Sequence, residues 1–346
     1  MPISLSAATD IANAALTYYV RGKAFAQTMQ NRPLLRLLGE KKKTFPGGKD
    51  DVSVPVQGVF LSDTANFFTG YSETDTLTFA QAQNLLRATY PWKEAHAGLV
   101  ISETELKKDG ISVTDSMKTH NHSEVELTRL TSLLQNRLDD FGESWARAMN
   151  NMLWRDGSQD SKVTPGILAI LTDTPSTGTT GGLSRATYNW WRHRTEFNIA
   201  YSETNQTLSK KLRAELRQLR RYGGKPDIAL AGSAFIEALE AEVQAKGYYT
   251  LEGFKNEGKT DLGIADIVMR GLGRFTYDPT LDDLGFSKRC YIIDRNHLRM
   301  YPMEGEENKV RTPERPYDQF IFLRSMTWTG AVVANQLNCH GVYSIA

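Results

Sequence analysis

Cysteine is scarce in this sequence of 346 residues, which contains only Cys290 and Cys339. Two cysteines so far apart exclude a disulfide framework and a Cys-x-x-Cys metal site, and they are typical of proteins made in a reducing compartment. Long apolar runs are also missing, since no stretch approaches the roughly 18 residues of a membrane helix. The first residues lack a charged segment followed by an apolar block, so we expect no secretion signal and synthesis in the cytoplasm.

An excess of charge of one sign is lacking as well, because 41 basic residues face 40 acidic ones. The whole molecule therefore carries no signature of nucleic-acid or membrane binding. The first 50 residues differ, with eight basic and three acidic side chains, and they include the run Lys41, Lys42 and Lys43. Such a run indicates either a solvated surface or an arm that touches an anionic partner.

Alternating valines predict a hairpin after this arm. Val52, Val54 and Val56 alternate with small or polar residues, and the stretch TDTLTFA, with Leu77 and Phe79, is expected to be the returning strand. Pro55 lacks a backbone N–H, which favours an edge or protruding ribbon. A two-stranded ribbon is marginally stable alone in water, so we expect it to lie on another surface, for instance another subunit.

One long amphipathic helix is predicted from Ser123 to Arg155. Ser123 and Glu126 form a capping-box pattern, and apolar residues then recur every three or four positions. Charged residues on the opposite face exclude a membrane span. The helix should be roughly 50 Å long, from about 1.5 Å per residue. The apolar stripe consists of Leu127, Leu130, Leu134, Leu138, Phe141, Trp145, Met149 and Met152.

The second half of the chain predicts a compact α/β segment. A glycine-rich loop, GTTGG, leads to Arg185, Trp190 and Trp191. A helix over 208–222 should bury four leucines and expose a strongly basic face. The stretch PDIALAG is predicted to be a buried strand, Ser233 to begin another helix, and short strands to dominate after residue 274.

One eight-residue stretch suggests a different function. GFKNEGKT fits the phosphate-binding pattern G-x-x-x-x-G-K-[ST] through Gly253, Gly258, Lys259 and Thr260, and Asp294 follows apolar residues as a magnesium ligand would. The preceding residues form a poor buried strand, however, and the pattern favours a surface loop. The histidines of the stretch HNH, residues 120–122, lack metal-ligand partners at a recognisable spacing. We therefore predict no catalytic residue, no cofactor and no metal.

The order of parts and several stretches resemble the major capsid proteins of tailed bacteriophages, which have the Hong Kong 97 fold. The stretches are NRPLLRLLGEKKKTFPGGKDDVSVPVQG, TELKKDGISV, DGS after the long helix, GGLSRATYNWW and TLSKKLRAELRQLRRYGGKPDIALAG. The resemblance covers nearly the whole chain. It implies an α+β fold with an N-terminal arm (1–44), an extended hairpin loop (45–92), a peripheral domain (93–200), an axial domain (201–310) and terminal strands (311–346).

The resemblance also implies a structural role in a virion. Such subunits assemble in the host cytoplasm as hexamers and pentamers into an icosahedral shell around double-stranded DNA, with portal, scaffolding and decoration proteins as partners and no membrane. Because the arm is short, a separate scaffolding protein is expected. Lys41, Lys42 and Lys43 would face the DNA or a neighbour. A cellular compartment shell of the encapsulin type, with the same fold, remains an alternative. The expected contacts between subunits are Phe45, Val52, Val54, Val56, Phe67, Phe68, Leu77, Phe79, Arg185, Trp190 and Trp191.

Overall fold

The computed structural model describes residues 32–63, 67–77, 79, 85–102, 104, 108, 124–244, 268–269, 272–311 and 321–346. Contacts within the chain define two compact units. The first contains residues 1–30, 98–146 and 312–324, and the second contains residues 31–97, 147–311 and 325–346. No helix among the described residues is both long enough and apolar enough to span a bilayer.

The first unit contains most of the longest helix. Helix α2 runs from Glu124 to Trp154, after α1 at Pro33–Glu40 in the second unit. The prediction of a helix over 123–155 is confirmed to within one residue at each end. Strand β3 (Lys93–Ser102) and strand β13 (Ile321–Ala334) each have one end in this unit and pair with one another.

The second unit is built around a six-stranded sheet in the order β6-β14-β10-β7-β9-β8. Strand β10 runs antiparallel to both β7 and β14, whereas β14 is parallel to β6 and β7 is parallel to β9. The buried strand predicted from PDIALAG is thereby confirmed. The strands are β6 (Arg194–Ile199), β7 (Ile228–Ala231), β8 (Val268–Met269), β9 (Gly273–Tyr277), β10 (Arg289–Ile293) and β14 (Gly341–Ile345).

Two helices cover this sheet, α4 (Thr207–Arg220) and α5 (Ser233–Gln244). Leu208, Leu212, Leu216 and Leu219 recur at helical spacing on α4 and are buried in the same apolar cluster as Phe235 of α5. The leucine face predicted for this helix is confirmed. Short helices α3 (Ile167–Ile170) and α6 (Pro279–Asp283), and short strands β4 (Thr179–Thr180) and β5 (Leu183–Ser184), complete this part.

A four-stranded sheet joins β11 (Leu298–Pro302), β13 and β12 (Lys309–Arg311) in that order, with β3 also paired to β13. β11 and β12 both run antiparallel to β13. Phe45 makes an isolated bridge to Met303 just beyond β11. The segment that precedes the ribbon is therefore attached to the rest of the second unit.

The ribbon itself pairs β1 (Asp51–Val56) with β2 (Leu86–Pro91), in the register Val52↔Tyr90 and Val56↔Leu86. The first strand was predicted correctly, but the returning strand was not. Leu77 and Phe79 lie outside any strand and are exposed. Strand β2 replaces TDTLTFA as the partner because Ala88 and Tyr90 find a buried surface, which is what stabilises a strand of alternating pattern.

Candidate assembly surface

The base of the ribbon is firmly attached to the second unit. The Tyr90 hydroxyl donates a hydrogen bond of 2.8 Å to the carbonyl oxygen of Ala334, and burial raises the pKa of this phenol. The Thr89 N–H donates to the Gly181 carbonyl at 2.9 Å. Gly181 has φ +58°, and a Cβ there would lie 2.9 Å from Ala88 Cβ, so glycine allows this close approach. The ribbon therefore leaves the body in a defined direction.

The distal part of the ribbon has the opposite character. Every residue from 67 to 77 is exposed, and we call this stretch the tip segment. Phe68 is 95% exposed and Phe79 is 93% exposed, as the prediction of contact residues requires. The sequence analysis missed four further exposed side chains of this region, Phe60, Leu61, Tyr71 and Leu85. Contiguous exposed apolar side chains are typical of interaction surfaces.

The charged residues in the connection between β1 and β2 are all acidic. Residues 57–85 contain Asp63, Glu73 and Asp75 but no lysine, arginine or histidine. The Ser72 N–H donates 2.8 Å to Asp75 Oδ2, and the Asp75 N–H donates 3.0 Å to the Ser72 carbonyl. The tip segment is thus an acidic, aromatic turn with its own internal hydrogen bonds.

Other predicted contact residues are used inside the chain. Val52 and Val56 are buried, and Phe45 and Val54 are half-buried. Arg185 donates to Thr172 Oγ1, and the Trp191 indole N–H donates 2.9 Å to the Thr180 carbonyl oxygen. Both side chains are almost completely buried, so their roles lie in the interior of one subunit.

Trp190 remains partly exposed and touches the ribbon. Its ring lies against Gly58, where a Cβ would approach a ring carbon to 1.8 Å. A side chain at position 58 would therefore displace the ring. Trp190 also neighbours Tyr188 and Trp191, with ring centroids 5.5 and 5.8 Å away. This aromatic row holds the start of residues 57–85 against the body.

The predicted basic run is largely neutralised. Lys41 Nζ lies 3.2 Å from a carboxylate oxygen of Asp227, and Lys42 Nζ lies 2.6 Å from Glu307. Lys43 is exposed. The first two ammonium groups are therefore engaged within the chain, which leaves little free charge in this run for DNA or a neighbour.

A groove of about 1100 Å³ opens beside the ribbon base, between residues 57–63, the loop 189–195, the end of α4 and the turn 335–338. Arginines line it, and Asp63 is the only acidic side chain among the described residues of its lining. Outside the groove, α4 presents Lys210, Arg213 and Arg217 to solvent, as its predicted basic face requires. The acidic connection between β1 and β2 and this cationic region belong to the same chain.

The phosphate-loop alternative finds no support. Gly253, Gly258, Lys259 and Thr260 lie outside the described residues, as do His120 and His122. Asp294, the proposed magnesium ligand, is buried, and its carboxylate accepts from the N–H groups of Lys225 and Asn296 at 2.6 and 2.9 Å. In the alternative reading Asp294 would bind magnesium, whereas in the structure each of its carboxylate oxygens accepts a backbone hydrogen bond that fixes the neighbouring turns. In the described part of the chain, no cluster of three or more His, Cys, Asp or Glu could hold a metal ion.

A buried carboxylate that sequence reasoning missed joins the two helices of the six-stranded sheet. Glu242 in α5 accepts hydrogen bonds from the N–H groups of Ser202, Leu208 and Ser209 at 3.0, 2.9 and 2.9 Å. Burial alone would raise the pKa of Glu242, but these donors outweigh burial and the pKa is lowered. Glu242 thus caps the N-terminus of α4 from the neighbouring helix.

A second buried carboxylate lies at the end of α2. Asp278 accepts 2.8 Å from the Trp154 indole N–H and 3.0 Å from the Thr280 N–H. Burial raises the pKa of Asp278 in spite of these bonds. Asn150 donates 2.8 Å to Thr280 Oγ1 and accepts 3.1 Å from the Leu35 N–H. The end of α2 that lies in the second unit is fixed there by polar as well as apolar contacts.

No sequence model of a protein family matches this chain, and no curated protein matches it by sequence. Solved structures do. A chain of the cyanophage A-1(L) capsid asymmetric unit is 15% identical, with 96% of this chain and 98% of that chain covered and a TM-score of 0.63. A chain from the capsid of Myoviridae phage XM1 is 11% identical, with 93% and 95% covered and a TM-score of 0.54.

A third similar chain comes from the capsid of a native GTA particle. It is 14% identical, with 97% of this chain and 98% of that chain covered and a TM-score of 0.55. At such low identity, the three likenesses establish the fold. In each case the match extends over nearly the whole of both chains.

Proposed function

We propose that this chain, which has the Hong Kong 97 fold of tailed-phage capsid subunits, is a major capsid protein that assembles with copies of itself into a closed shell. The observation that carries the proposal is the mutual coverage with capsid chains, 96% of this chain and 98% of the cyanophage A-1(L) chain. The shared fold therefore accounts for almost all of this chain, and the role it supports is structural rather than enzymatic.

The ribbon supplies an independent physical argument. An acidic segment with several exposed aromatic side chains is unfavourable in an isolated subunit, because apolar surface remains in water. A neighbouring copy would cover it. When the segment of one copy contacts a different surface of the next, the contact is heterologous and can close into rings. Hexamers and pentamers are such rings, and we propose that they form the shell.

The proposed division of the chain follows the resemblance. Residues 1–44 form an arm, 45–92 the extended loop, 93–200 the peripheral domain, 201–310 the axial domain and 311–346 the terminal strands. We also propose double-stranded DNA as the enclosed cargo, a portal and a separate scaffolding protein as partners, possible decoration by other proteins, and assembly in the host cytoplasm.

Electron microscopy and sedimentation of the purified full chain test the proposal, with co-expression of a scaffolding protein where one is identified. Closed shells, or rings of five and six subunits, are expected. The double variant Phe68→Ser, Phe79→Ser should remain folded and fail to assemble. Val310→Ser is the matched control, since Val310 is an exposed apolar residue of β12 outside the ribbon.

A discrete monomer or small oligomer whose size shifts on addition of magnesium-ATP would contradict the proposal and revive the nucleotide-binding alternative. Shells that contain a cargo protein in place of DNA would instead indicate a cellular compartment. If the double variant assembles at the same protein concentrations as the wild type, the proposed shell stands, but the ribbon is not one of the contacts that form it.

A further inference from the structure

The groove beside the ribbon base is lined by aromatic rings and by arginine side chains. Trp190 lies against Gly58, and the Arg221 guanidinium carbon lies 5.5 Å from the ring centroid of Tyr222; all four residues line the groove. Arg192 also lines the groove and is held in place, because its side chain donates to the carbonyl oxygens of Arg185 and Ala186 at 2.6 and 3.0 Å. These aromatic and guanidinium groups are the residue types that dominate protein–protein contacts.

The charge of the groove is positive. Arg194 is neutralised by Glu215, 2.6 Å from its Nε. No carboxylate among the described residues pairs with Arg192 or Arg221, and Asp63 is the only acidic side chain in the lining. Charges arranged in this way would attract an anionic partner and orient it.

Two of the lining residues, Trp190 and His193, carry a polar atom that lies below the groove surface. Trp190 Nε1 and His193 Nδ1 are buried and have no hydrogen-bond partner in the described part of the chain. His193 Nε2 lies 2.7 Å from the Thr172 carbonyl oxygen, so Nε2 carries the proton and Nδ1 is an acceptor. Burial lowers the pKa of His193 to about 4, which keeps the ring neutral. Both atoms are enclosed within the subunit, so recognition at the groove depends on the guanidinium groups and aromatic rings that line it.

The tip segment has the matching properties. It carries Glu73 and Asp75 with no basic residue, and it exposes Phe67, Phe68, Tyr71 and Leu77. Its Ser72–Asp75 turn is already formed in the subunit, which reduces the conformational entropy that docking would cost. A contact from tip to groove joins two different surfaces, as ring closure requires.

We propose that the tip segment of one subunit docks in the groove of an adjacent copy, with its carboxylates near Arg192 and Arg221 and its aromatic side chains against Trp190 and Tyr222. This inference rests on the proposed shell function and specifies which surface of the neighbour receives the ribbon. Residues 57–63, which directly follow β1, line the groove. The groove of each subunit therefore lies beside the base of its own ribbon.

A charge reversal with a matched control tests this docking. Arg221→Glu is expected to raise the minimum concentration for shell formation by about tenfold or more, since a like charge then faces the tip. Arg213→Glu makes the same change of net charge on the exposed face of α4, outside the groove. It should change that concentration by less than about twofold. Sedimentation and electron microscopy give the readout, and circular dichroism confirms that both variants fold.

Cysteine trapping gives a second measurement. Thr74→Cys in the tip combined with Asn189→Cys in the groove should yield a ladder of covalent oligomers when assembled shells are oxidised. Thr74→Cys with Glu203→Cys, an exposed site outside the groove, should not. The native Cys290 and Cys339 are completely buried, so they would not compete.

The outcomes separate the inference from the proposed function. If the wild-type chain forms no shells, the proposed function fails and the docking with it. If wild-type shells form but Arg221→Glu assembles as readily as Arg213→Glu and no ladder appears, the docking alone is overturned. It is equally overturned if both reversals lower bound DNA without affecting empty shells, because the cationic region would then be a nucleic-acid surface.

Discussion

The six-stranded sheet and the ribbon satisfy their polar and apolar groups in opposite ways. In the sheet with α4 and α5, a buried carboxylate such as Glu242 finds three backbone donors within the same chain. In the tip segment, aromatic side chains such as Phe68 stay in solvent. The first region can therefore be stable as a monomer, whereas the second gains its stabilisation only from another molecule. Four substitutions test that division, and they follow in decreasing order of the expected loss in the free energy of unfolding.

Trp154→Ala should have the largest effect. Trp154 is completely buried, meets Tyr291 edge to face at 5.1 Å, and donates to Asp278. Its loss leaves a cavity and an incompletely paired carboxylate, and we expect the free energy of unfolding to fall by about 3–5 kcal/mol. Denaturant unfolding of the unassembled subunit measures this. Trp154→Phe retains most of the ring and should cost about 1–2 kcal/mol; equal losses in the two variants would show that the indole hydrogen bond, not ring volume, dominates.

Glu242→Gln should be the next most disruptive. The amide cannot accept from all three N–H groups, and we expect a loss of about 2 kcal/mol at neutral pH. The pKa of Glu242 is lowered in the folded chain. Its stabilisation is therefore complete above the unfolded-state pKa of about 4.3 and is lost as the pH falls through the folded-state pKa.

Unfolding curves at neutral pH and at successively lower pH check both parts of this prediction. The difference between wild type and Glu242→Gln should shrink as the pH falls, because protonation removes the same charge from the wild type. A difference that stays constant with pH would contradict the role given to the ionised carboxylate.

Gly58→Ala should have an intermediate effect, because position 58 belongs to the join between the two regions. The new methyl group would collide with the ring of Trp190, and we expect a cost of about 1–2 kcal/mol from overpacking. Trp190→Ala should relieve part of that cost in the double variant. A double-mutant cycle measures the coupling, and additive losses would show that the two residues do not interact.

Phe68→Ser should have the smallest effect on the subunit. The side chain is 95% exposed, so the free energy of unfolding should change by no more than about 0.5 kcal/mol. Shell formation should suffer far more if the ribbon is a contact surface. A loss of subunit stability comparable to that of Trp154→Ala would abolish the distinction between the two regions.

Sequence periodicity predicted the elements that bury one continuous stripe. Helix α2 and the leucine face of α4 were assigned correctly because their spacing repeats over many residues. The returning strand of the ribbon was placed wrongly because TDTLTFA alternates as well as LRATYP does. Tertiary contacts distinguish the two stretches, among them the hydrogen bond that Tyr90 donates to the distant carbonyl oxygen of Ala334. The local sequence pattern does not show which distant group a side chain will contact.

The surface was predicted less well than the fold. Phe67, Phe68, Leu77 and Phe79 are exposed as a contact surface requires. Arg185 was predicted to contact a neighbouring subunit, but its side chain is buried and donates a hydrogen bond to Thr172. Glu242 gave no signal at all, since its partners lie more than thirty residues earlier, at Ser202, Leu208 and Ser209. Side-chain orientation in loops and long-range capping depend on tertiary contacts that one sequence does not display.

The central position of β14 has a consequence for synthesis. Residues 341–345 lie between β6 and β10, and all five are buried. A ribosome-bound chain that still lacks them has an open gap in the middle of its main sheet. Domains fold as units during translation, so this one cannot close until the strand emerges. Nascent chains on one polysome, crowded and close together, would therefore be unable to nucleate a shell before this strand has emerged.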